Sequence, residues 1–111
     1  MLDRWNDALD AIERTLAGDV DVSELARRAL TSEFHFRRVF SALAGMPVSE
    51  YVRRRRMTLA AADVVAGDTV VDVAVRYGYG SAESFRRAFV AVHGATPDAV
   101  RRGAPVRAQS R

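Results

Sequence analysis

Apolar residues recur along most of the chain every three or four positions, the spacing of a helix that buries one face. In the first segment these positions are Leu2, Trp5, Leu9, Ile12 and Leu16, and Gly18 follows them. Similar runs, bounded by Gly, Pro, Ser, Thr or Asp, predict six more helices, at about 22–29, 33–43, 48–66, 70–77, 82–93 and 97–102. The valine-rich run after Thr69 has strand propensity, but its place in the repeat described next favours a helix. The predicted fold class is therefore all-α, with seven helices.

Two of the predicted helices carry the same sequence pattern. Phe36-Arg37-Arg38-Val39-Phe40 recurs as Phe85-Arg86-Arg87-Ala88-Phe89, 49 residues later, and Gly45 recurs as Gly94 at the same offset. A repeat of this kind indicates two copies of one small structural unit. In each copy a short helix, a tight turn and a second helix follow one another, which is the order of a helix-turn-helix unit.

The repeat predicts how the chain is organised. We expect a first helix-turn-helix subdomain at 1–46, a connecting helix at 47–67, a second subdomain at 68–102 and a tail or linker at 103–111. The connecting helix would be about 28 Å long. The architecture is thus two helix-turn-helix units joined by a long central helix, a homeodomain-like arrangement.

The same pattern predicts a core and two turns. The side chains expected inside are Trp5, Leu25, Ala26, Ala29, Phe36, Val39, Phe40, Leu43, Phe85, Ala88, Phe89 and Val92. Ala26 and Ala74 are small residues that allow two helices to cross closely. Gly78 suits a turn that needs a positive φ. Because Leu30 takes that place in the first unit, the first turn is expected to differ, and the second turn is expected to be one residue longer.

Burying the phenylalanines turns arginines outward on both repeated helices. The outward residues on the first are Glu33, Phe34, Arg37, Arg38 and Ser41, and those on the second are Glu83, Ser84, Arg86, Arg87 and Val90. An arginine at such a position can donate to guanine O6 and N7, a glutamate can accept from cytosine N4, and an aromatic ring can pack on a thymine methyl. These faces predict that the partner is double-stranded DNA.

Charge placement agrees with a polyanionic partner. Residues 1–24 have a net charge of −5, whereas the rest of the chain has +8, and every basic residue is arginine. The sequence contains no cysteine, no hydrolytic triad and no phosphate-binding loop, and His35 and His93 lack metal-ligand spacing. We therefore expect no enzymatic activity, no cofactor and no metal. The polar N-terminus and the lack of cysteine favour a cytoplasmic protein. With DNA as its partner, the protein is expected to be associated with the nucleoid.

The length of the connecting helix bears on how the two units meet DNA. Successive major grooves on one side of the duplex lie about 34 Å apart. A rigid helix of about 28 Å, together with its turns, would hold two recognition helices at nearly that separation. One chain would then read two adjacent major-groove segments, so binding as a monomer is expected.

The stretch from Val22 to Arg102 resembles the DNA-binding domain of the AraC/XylS family of bacterial transcription regulators. The matching pieces are Ser23-Glu24-Leu25-Ala26, His35-Phe36-Arg37-Arg38-Val39-Phe40, Tyr51-Val52-Arg53, Arg56-Met57, Ala74, Tyr77-Gly78-Tyr79, Ser81, Ser84-Phe85-Arg86-Arg87-Ala88-Phe89 and Gly94-Ala95-Thr96-Pro97. The resemblance implies base contacts by Phe34, Arg37, Arg38, Glu83, Ser84 and Arg87. It implies phosphate contacts by Ser32, Ser81 and Arg86. Gly80 and Ala82 leave few polar groups at the start of the second recognition helix, which predicts less selective readout there.

The resemblance also implies transcriptional activation through contact with RNA polymerase. Two alternatives remain open at this point. The chain is either a complete regulator or a DNA-binding fragment of a larger protein with an effector-sensing domain. A helical protein-interaction module that uses the acidic first helix as its docking face is a third, less favoured interpretation.

Overall fold

The structure, a computed structural model, describes residues 2–106, and that range contains seven α-helices and no strand. They are α1 (Leu2–Arg14), α2 (Val22–Arg28), α3 (Glu33–Ala44), α4 (Val48–Val65), α5 (Val70–Arg76), α6 (Ala82–His93) and α7 (Pro97–Arg101). The prediction of an all-α fold is confirmed, and the valine-rich run is helical. The Leu2 side chain and residues 107–111 of the predicted tail lie outside the described residues.

Local capping explains where the helices begin and end. Ser32 and Ser81 accept hydrogen bonds from the backbone N–H groups three residues ahead of them, at the starts of α3 and α6. Gly45 and Gly94 end these two helices in the left-handed region, both with φ of 77°. Thr96 caps α7, whose first residue is Pro97. Because each signal is local, the sequence predicts these boundaries well.

The chain divides into two compact units between Arg53 and Arg54, inside α4. The first unit holds α1, α2, α3 and the start of α4, and the second holds the rest of α4 with α5, α6 and α7. The division falls within the predicted connecting segment, 47–67.

An aromatic stack forms the core of the first unit. Trp5 stacks on Phe36 with ring centroids 4.8 Å apart, and Phe40 meets Tyr51 edge-on at 5.3 Å. The prediction that Trp5 lies in the core is confirmed. The prediction that Leu43 is buried is wrong, because its side chain is 69% exposed. Its spacing from Phe36 and Phe40 aligns it with the buried face, but within the first unit the described residues leave this side chain uncovered.

The buried stripe of α1 also differs from the prediction. Leu9 was expected inside but is 36% exposed, and Ala8 and Ala11 are buried instead, beside Ile12. Helical spacing gives the direction of the buried face. It does not say which of two neighbouring positions lies nearer the centre of that face.

The second unit has its own core. Met57 and Val64 of α4, Val73 of α5, and Phe85 and Phe89 of α6 are all fully buried. His93 is also buried, and its Nε2–H donates to the Met57 carbonyl at 2.7 Å. That bond fixes the tautomer of the ring and ties α6 to α4.

A polar cluster fastens α5 to the end of α4 in the second unit. Asp63 accepts hydrogen bonds from Arg76 Nη1 at 2.8 Å and from the Tyr77 hydroxyl at 2.7 Å, and Asp68 accepts from the same Arg76 nitrogen. Burial and the bond to Asp63 raise the pKa of Tyr77 to about 12. The stabilisation that this shift represents is fully present below the ordinary pKa of 10.0 and is lost as the pH rises through about 12.

The two turns begin with the same hydrogen-bonded motif, contrary to the expectation that Leu30 would make the first one differ. In the first, the Thr31 N–H donates to the Ala26 carbonyl; in the second, the Tyr79 N–H donates to the Ala74 carbonyl. Leu30 has φ of 57° and Gly78 has φ of 83°, so both adopt the left-handed conformation of a Schellman motif. The second turn is one residue longer, as predicted, because the extra residue follows the motif.

Exchanging residues at these turns should shift stability in opposite directions. Leu30→Gly removes left-handed backbone strain, which stabilises the folded state by roughly 1–2 kcal/mol. It also makes the unfolded chain more flexible, which offsets roughly 0.5–1 kcal/mol of that gain. We therefore expect a net gain of about 0.5–1 kcal/mol in the free energy of unfolding. Gly78→Ala should lose about 1 kcal/mol, purely from conformation, because a Cβ there meets no atom within 4 Å. Urea denaturation measures both changes, and a shift of the same sign in the two variants would contradict the assignment.

Candidate nucleic-acid interface

In each unit, a short helix and a Schellman turn precede a longer helix that has one face exposed to solvent. In the first unit α2 and its C-cap residue bury Leu25, Ala26 and Ala29, and α3 buries Phe36 and Phe40. In the second, α5 buries Val70, Val73 and Ala74, and α6 buries Phe85 and Phe89. Burying these faces leaves the opposite faces of α3 and α6 exposed. These exposed faces are termed the α3 face and the α6 face.

The α3 face carries the first group of predicted contact residues. Phe34, Arg37 and Arg38 are all exposed, and the Phe34 side chain is 71% accessible. The Arg38 guanidinium lies over the Phe34 ring, 5.7 Å from its centroid, within the range of a cation–π contact. The α3 face therefore presents an apolar ring and a positive charge side by side to solvent.

A second arginine on the α3 face belongs to a network that joins α2 to α3. Glu33 accepts one hydrogen bond from Ser23 Oγ at 2.8 Å and another from Arg37 Nε at 3.0 Å. The bond from Ser23, and then that from Arg37, lower the pKa of Glu33 below its ordinary value. A lowered pKa means that this stabilisation is present above the ordinary pKa and is lost as the pH falls through the lower folded-state pKa. Glu33 is therefore charged at neutral pH.

The α6 face carries the second group. Glu83 and Arg87 form an exposed ion pair, with Arg87 Nη1 donating to Glu83 at 3.2 Å, and Arg86 beside them is exposed. Ser84 is half-buried, and its hydroxyl donates to the Ser81 carbonyl at 3.0 Å. The structure thus places Glu83, Arg86 and Arg87 where a partner can reach them, whereas Ser84 is less accessible.

The repeat places different chemistry at equivalent positions. Phe34 and Arg38 of the first unit correspond to Glu83 and Arg87 of the second, at the offset of 49 residues. In one unit the arginine is held by an aromatic ring, and in the other by a carboxylate. The frameworks of the two units are alike, but the side chains that they present are not.

Sequence reasoning missed the residues that position these arginines. It placed Glu33 on the outer face without a role, although its spacing of four from Arg37 is the signal of a helical ion pair. Nothing in the sequence indicates the bond from Ser23, which comes from a different helix.

Across the described residues, no group of three His, Cys, Asp or Glu side chains is placed to hold a metal ion. Each helix in that range is too short or too polar to cross a bilayer.

Comparison with known proteins agrees with the geometry. A protein-family model described as a helix-turn-helix domain matches residues 25–103. The HTH-type transcriptional activator AarP of Providencia stuartii is 34% identical over 91 residues, which cover 81% of this chain and 67% of that protein. The HTH-type transcriptional regulator Rv1931c of Mycobacterium tuberculosis is 43% identical over 82 residues, which cover 73% of this chain and only 32% of that protein.

Solved structures show the same fold. The DNA-binding domain of AdpA, a global transcriptional factor solved in complex with a target DNA, matches with a TM-score of 0.73 and 31% identity, over 87% of this chain and 88% of that one. An AraC-type transcriptional regulator from Chromobacterium violaceum matches with a TM-score of 0.83 over 91% of each chain, at 18% identity. The two helix-turn-helix units thus define a DNA-binding protein of the transcription-regulator class, not an enzyme. The chain belongs to the AraC/XylS-type helix-turn-helix family.

Proposed function

We propose that this chain binds specific sequences of double-stranded DNA, with α3 and α6 as its recognition helices, and thereby regulates transcription. The observation that carries the proposal is that both units expose arginines in the first turns of a capped helix that follows a Schellman turn. In helix-turn-helix proteins the second helix enters the major groove and presents its N-terminal half to base edges. The arginines of α3 and α6 occupy that half.

The base contacts follow from the chemistry of the two faces. Arg37, Arg38 and Arg87 are proposed to donate to guanine, and Phe34 to pack on a thymine methyl. On the α6 face, Glu83 accepts from cytosine N4 and Ser84 contacts an adjacent base. The exposure of all these side chains except Ser84 supports the proposal. Ser84 must exchange its bond to the Ser81 carbonyl for one to DNA, which makes it the weakest member of the set.

The phosphate contacts are proposed at the starts of the same helices and beside the base contacts. The Ser32 hydroxyl accepts from the His35 N–H, and within the described residues its own hydrogen has no acceptor, so it can donate to a phosphate. The Ser81 hydroxyl donates to Ser84 Oγ at 3.2 Å and has to give up that bond. Arg86 is exposed and supplies a positive charge that suits a phosphate.

Reading two grooves with one chain requires a connector of suitable length. The connecting helix α4 has 18 residues and is therefore about 27 Å long. Adjacent major-groove segments on one side of the duplex are about 34 Å apart. We propose that α3 and α6 of a single chain occupy two such segments, so that a monomer reads one site.

The regulatory sign and the complete protein are further parts of the proposal. The name of the Providencia relative supports activation, for which RNA polymerase is the proposed partner. The chain spans only about a third of the mycobacterial regulator, which supports an effector-sensing domain elsewhere in the full protein. Its proposed place of action is the bacterial nucleoid in the cytoplasm.

Titration of a random-sequence duplex at two salt concentrations tests DNA binding itself. Contacts from several arginines release bound counterions, so the association constant should fall by about 100-fold or more between about 50 and 200 mM salt. Fluorescence anisotropy of a labelled duplex measures the affinity. Absence of binding at the lower salt concentration would favour the protein-interaction module, with its acidic α1, over a DNA-binding regulator.

Arg86→Ala should weaken binding to all duplexes about equally. A phosphate contact carries no sequence information, so the salt dependence should fall by about one unit of slope while base preferences stay unchanged. Arg14→Ala on α1 is the matched control, since it removes an exposed positive charge that lies outside the helix-turn-helix motifs α2–α3 and α5–α6. If Arg86→Ala altered preference at particular base pairs, the residue would be a base contact instead.

A further inference from the structure

The two units differ in how they hold the arginine that follows the first core phenylalanine. Arg37 follows Phe36 and is held by Glu33, which in turn accepts a hydrogen bond from Ser23. Resting on the proposed function, we infer that Glu33 is a positioning residue that makes Arg37 a selective reader of one base pair. Glu33 itself touches no base in this arrangement.

The geometry of the ion pair carries the inference. Arg37 uses Nε to reach Glu33, and within the described residues both of its terminal nitrogens have no acceptor. Those two nitrogens can together form an end-on bidentate contact with guanine O6 and N7. Arg87, in contrast, uses its terminal Nη1 to donate to Glu83, so one of its two terminal nitrogens is already hydrogen-bonded in the free protein. The ion pair of Arg37 therefore leaves the end-on pair of donors available, whereas that of Arg87 leaves only Nε and Nη2.

Ser23 makes the difference between a loose ion pair and a fixed one. An exposed pair on one helix restrains its side chains weakly, because each partner keeps its own rotamer freedom. Here the Glu33 carboxylate is also tied to α2 through Ser23 at 2.8 Å, so its position depends on two helices. Holding a side chain in its bound conformation before binding reduces the entropy that the complex loses.

The second unit lacks the equivalent network. The offset of the repeat is 48 residues before the turn, as between Ala26 and Ala74, and 49 after it, because the second turn is one residue longer. Ser23 therefore corresponds to Val71, Glu33 to Ala82 and Arg37 to Arg86. Valine and alanine have no group that can accept a hydrogen bond from Arg86. Val71 is 61% exposed, as expected for a residue at a position that carries a polar group in the other copy. The arginine at this position is thus held by a hydrogen bond in α3, where Arg37 is proposed to read a base. Its counterpart in α6, Arg86, has no such support, which suits a contact with a phosphate.

A binding experiment with matched variants tests the inference. The probe is the duplex that the wild-type chain enriches from a randomised pool, together with single-base-pair variants of it. The base pair that Arg37 reads is identified as the one at which the Arg37→Ala variant no longer prefers one base over the others. The discrimination ratio is the affinity for the preferred base pair divided by that for a substituted one. At the base pair read by Arg37, Glu33→Ala should reduce this ratio about 3- to 10-fold, which corresponds to the entropy cost of immobilising one long side chain. Affinity for a random duplex should rise, because a negative charge has been removed near the phosphates.

Two further variants separate positioning from charge and from folding. Glu24→Ala also removes one exposed carboxylate, which pairs with Arg27 and Arg28 on its own helix. It should raise affinity for random duplex but leave the discrimination ratio unchanged. Ser23→Ala should reduce the ratio by a smaller factor, without changing affinity for random duplex. Loss of folding would lower both quantities together.

Three results would overturn the inference. If Glu33→Ala kept the wild-type discrimination ratio, Arg37 would need no support from Glu33. If Glu24→Ala reduced the discrimination ratio as much as Glu33→Ala does, the effect would be one of charge in general. Arg37→Ala with unchanged base preferences would remove the contact that Glu33 is said to position. A wild-type chain that enriches no sequence would instead refute the proposed function, and the inference with it.

Discussion

Replacing Phe36 with alanine is expected to lower the free energy of unfolding by about 3–5 kcal/mol. Phe36 is fully buried, so the substitution leaves a cavity under α3. It also removes the stack on Trp5 at 4.8 Å, a contact worth about 0.5–1.5 kcal/mol beyond burial. A loss of this size is a large fraction of the stability of a small domain. Thermal and urea denaturation followed by circular dichroism measure it.

Leu43→Ala on the same helix is the matched control. Its side chain is 69% exposed, so truncation should change the free energy of unfolding by less than about 0.5 kcal/mol. The contrast between the two variants tests the burial pattern, since spacing alone aligns Leu43 with Phe36 and Phe40. Similar losses in both variants would mean that α3 is rotated or that its last turn is covered.

Arg38→Ala is expected to have the largest effect on DNA recognition. A bidentate arginine–guanine contact is worth about 1–3 kcal/mol of discrimination, or about 5- to 150-fold in relative affinity. The substitution also frees the Phe34 ring, whose only cation–π partner in the described residues is Arg38. We therefore expect preference to be lost at the guanine and weakened at the neighbouring pair that Phe34 contacts.

Competition between the enriched duplex and its single-base variants measures this loss. Arg86→Ala provides the comparison, because it removes an equal charge from the corresponding face of the other unit and should weaken every duplex alike. A uniform loss in Arg38→Ala, with all preferences intact, would reassign Arg38 to the phosphate backbone.

Local signals explain why much of the fold could be predicted. Ser32, Ser81, Gly45 and Gly94 act on backbone groups a few residues away, so they specify helix ends without help from the rest of the chain. The repeat of Phe36 and Phe40 as Phe85 and Phe89 then indicated which faces pack inward. Both pairs are buried as expected.

Two predictions were wrong for different reasons. Leu43 has the spacing of a buried residue, but the described residues leave its side chain exposed, and Leu30 adopts a backbone conformation that its residue type disfavours. The turn closes because the Thr31 N–H bonds to the Ala26 carbonyl, and the fold tolerates strain of about 1 kcal/mol to make that bond. The bond between Asp63 and Arg76 spans 13 residues and has no periodic signal at all.

The candidate site divides in the same way. Helical periodicity predicted that Phe34, Arg38 and Arg87 would be exposed, and they are. It did not predict what holds each arginine, because that depends on side-chain rotamers and, for Arg37, on Ser23 of another helix. Which bases each residue contacts stays a prediction, since it depends on the DNA.

The central claim is that one chain reads two adjacent major-groove segments, one with α3 and one with α6. Enrichment of a randomised duplex pool by the wild-type chain, Arg38→Ala and Arg87→Ala tests it most directly. The account predicts two blocks of preferred bases, centred about 10–11 base pairs apart. Arg38→Ala should weaken preference within the first block alone, and Arg87→Ala within the second alone. A single block that both substitutions weaken would contradict it.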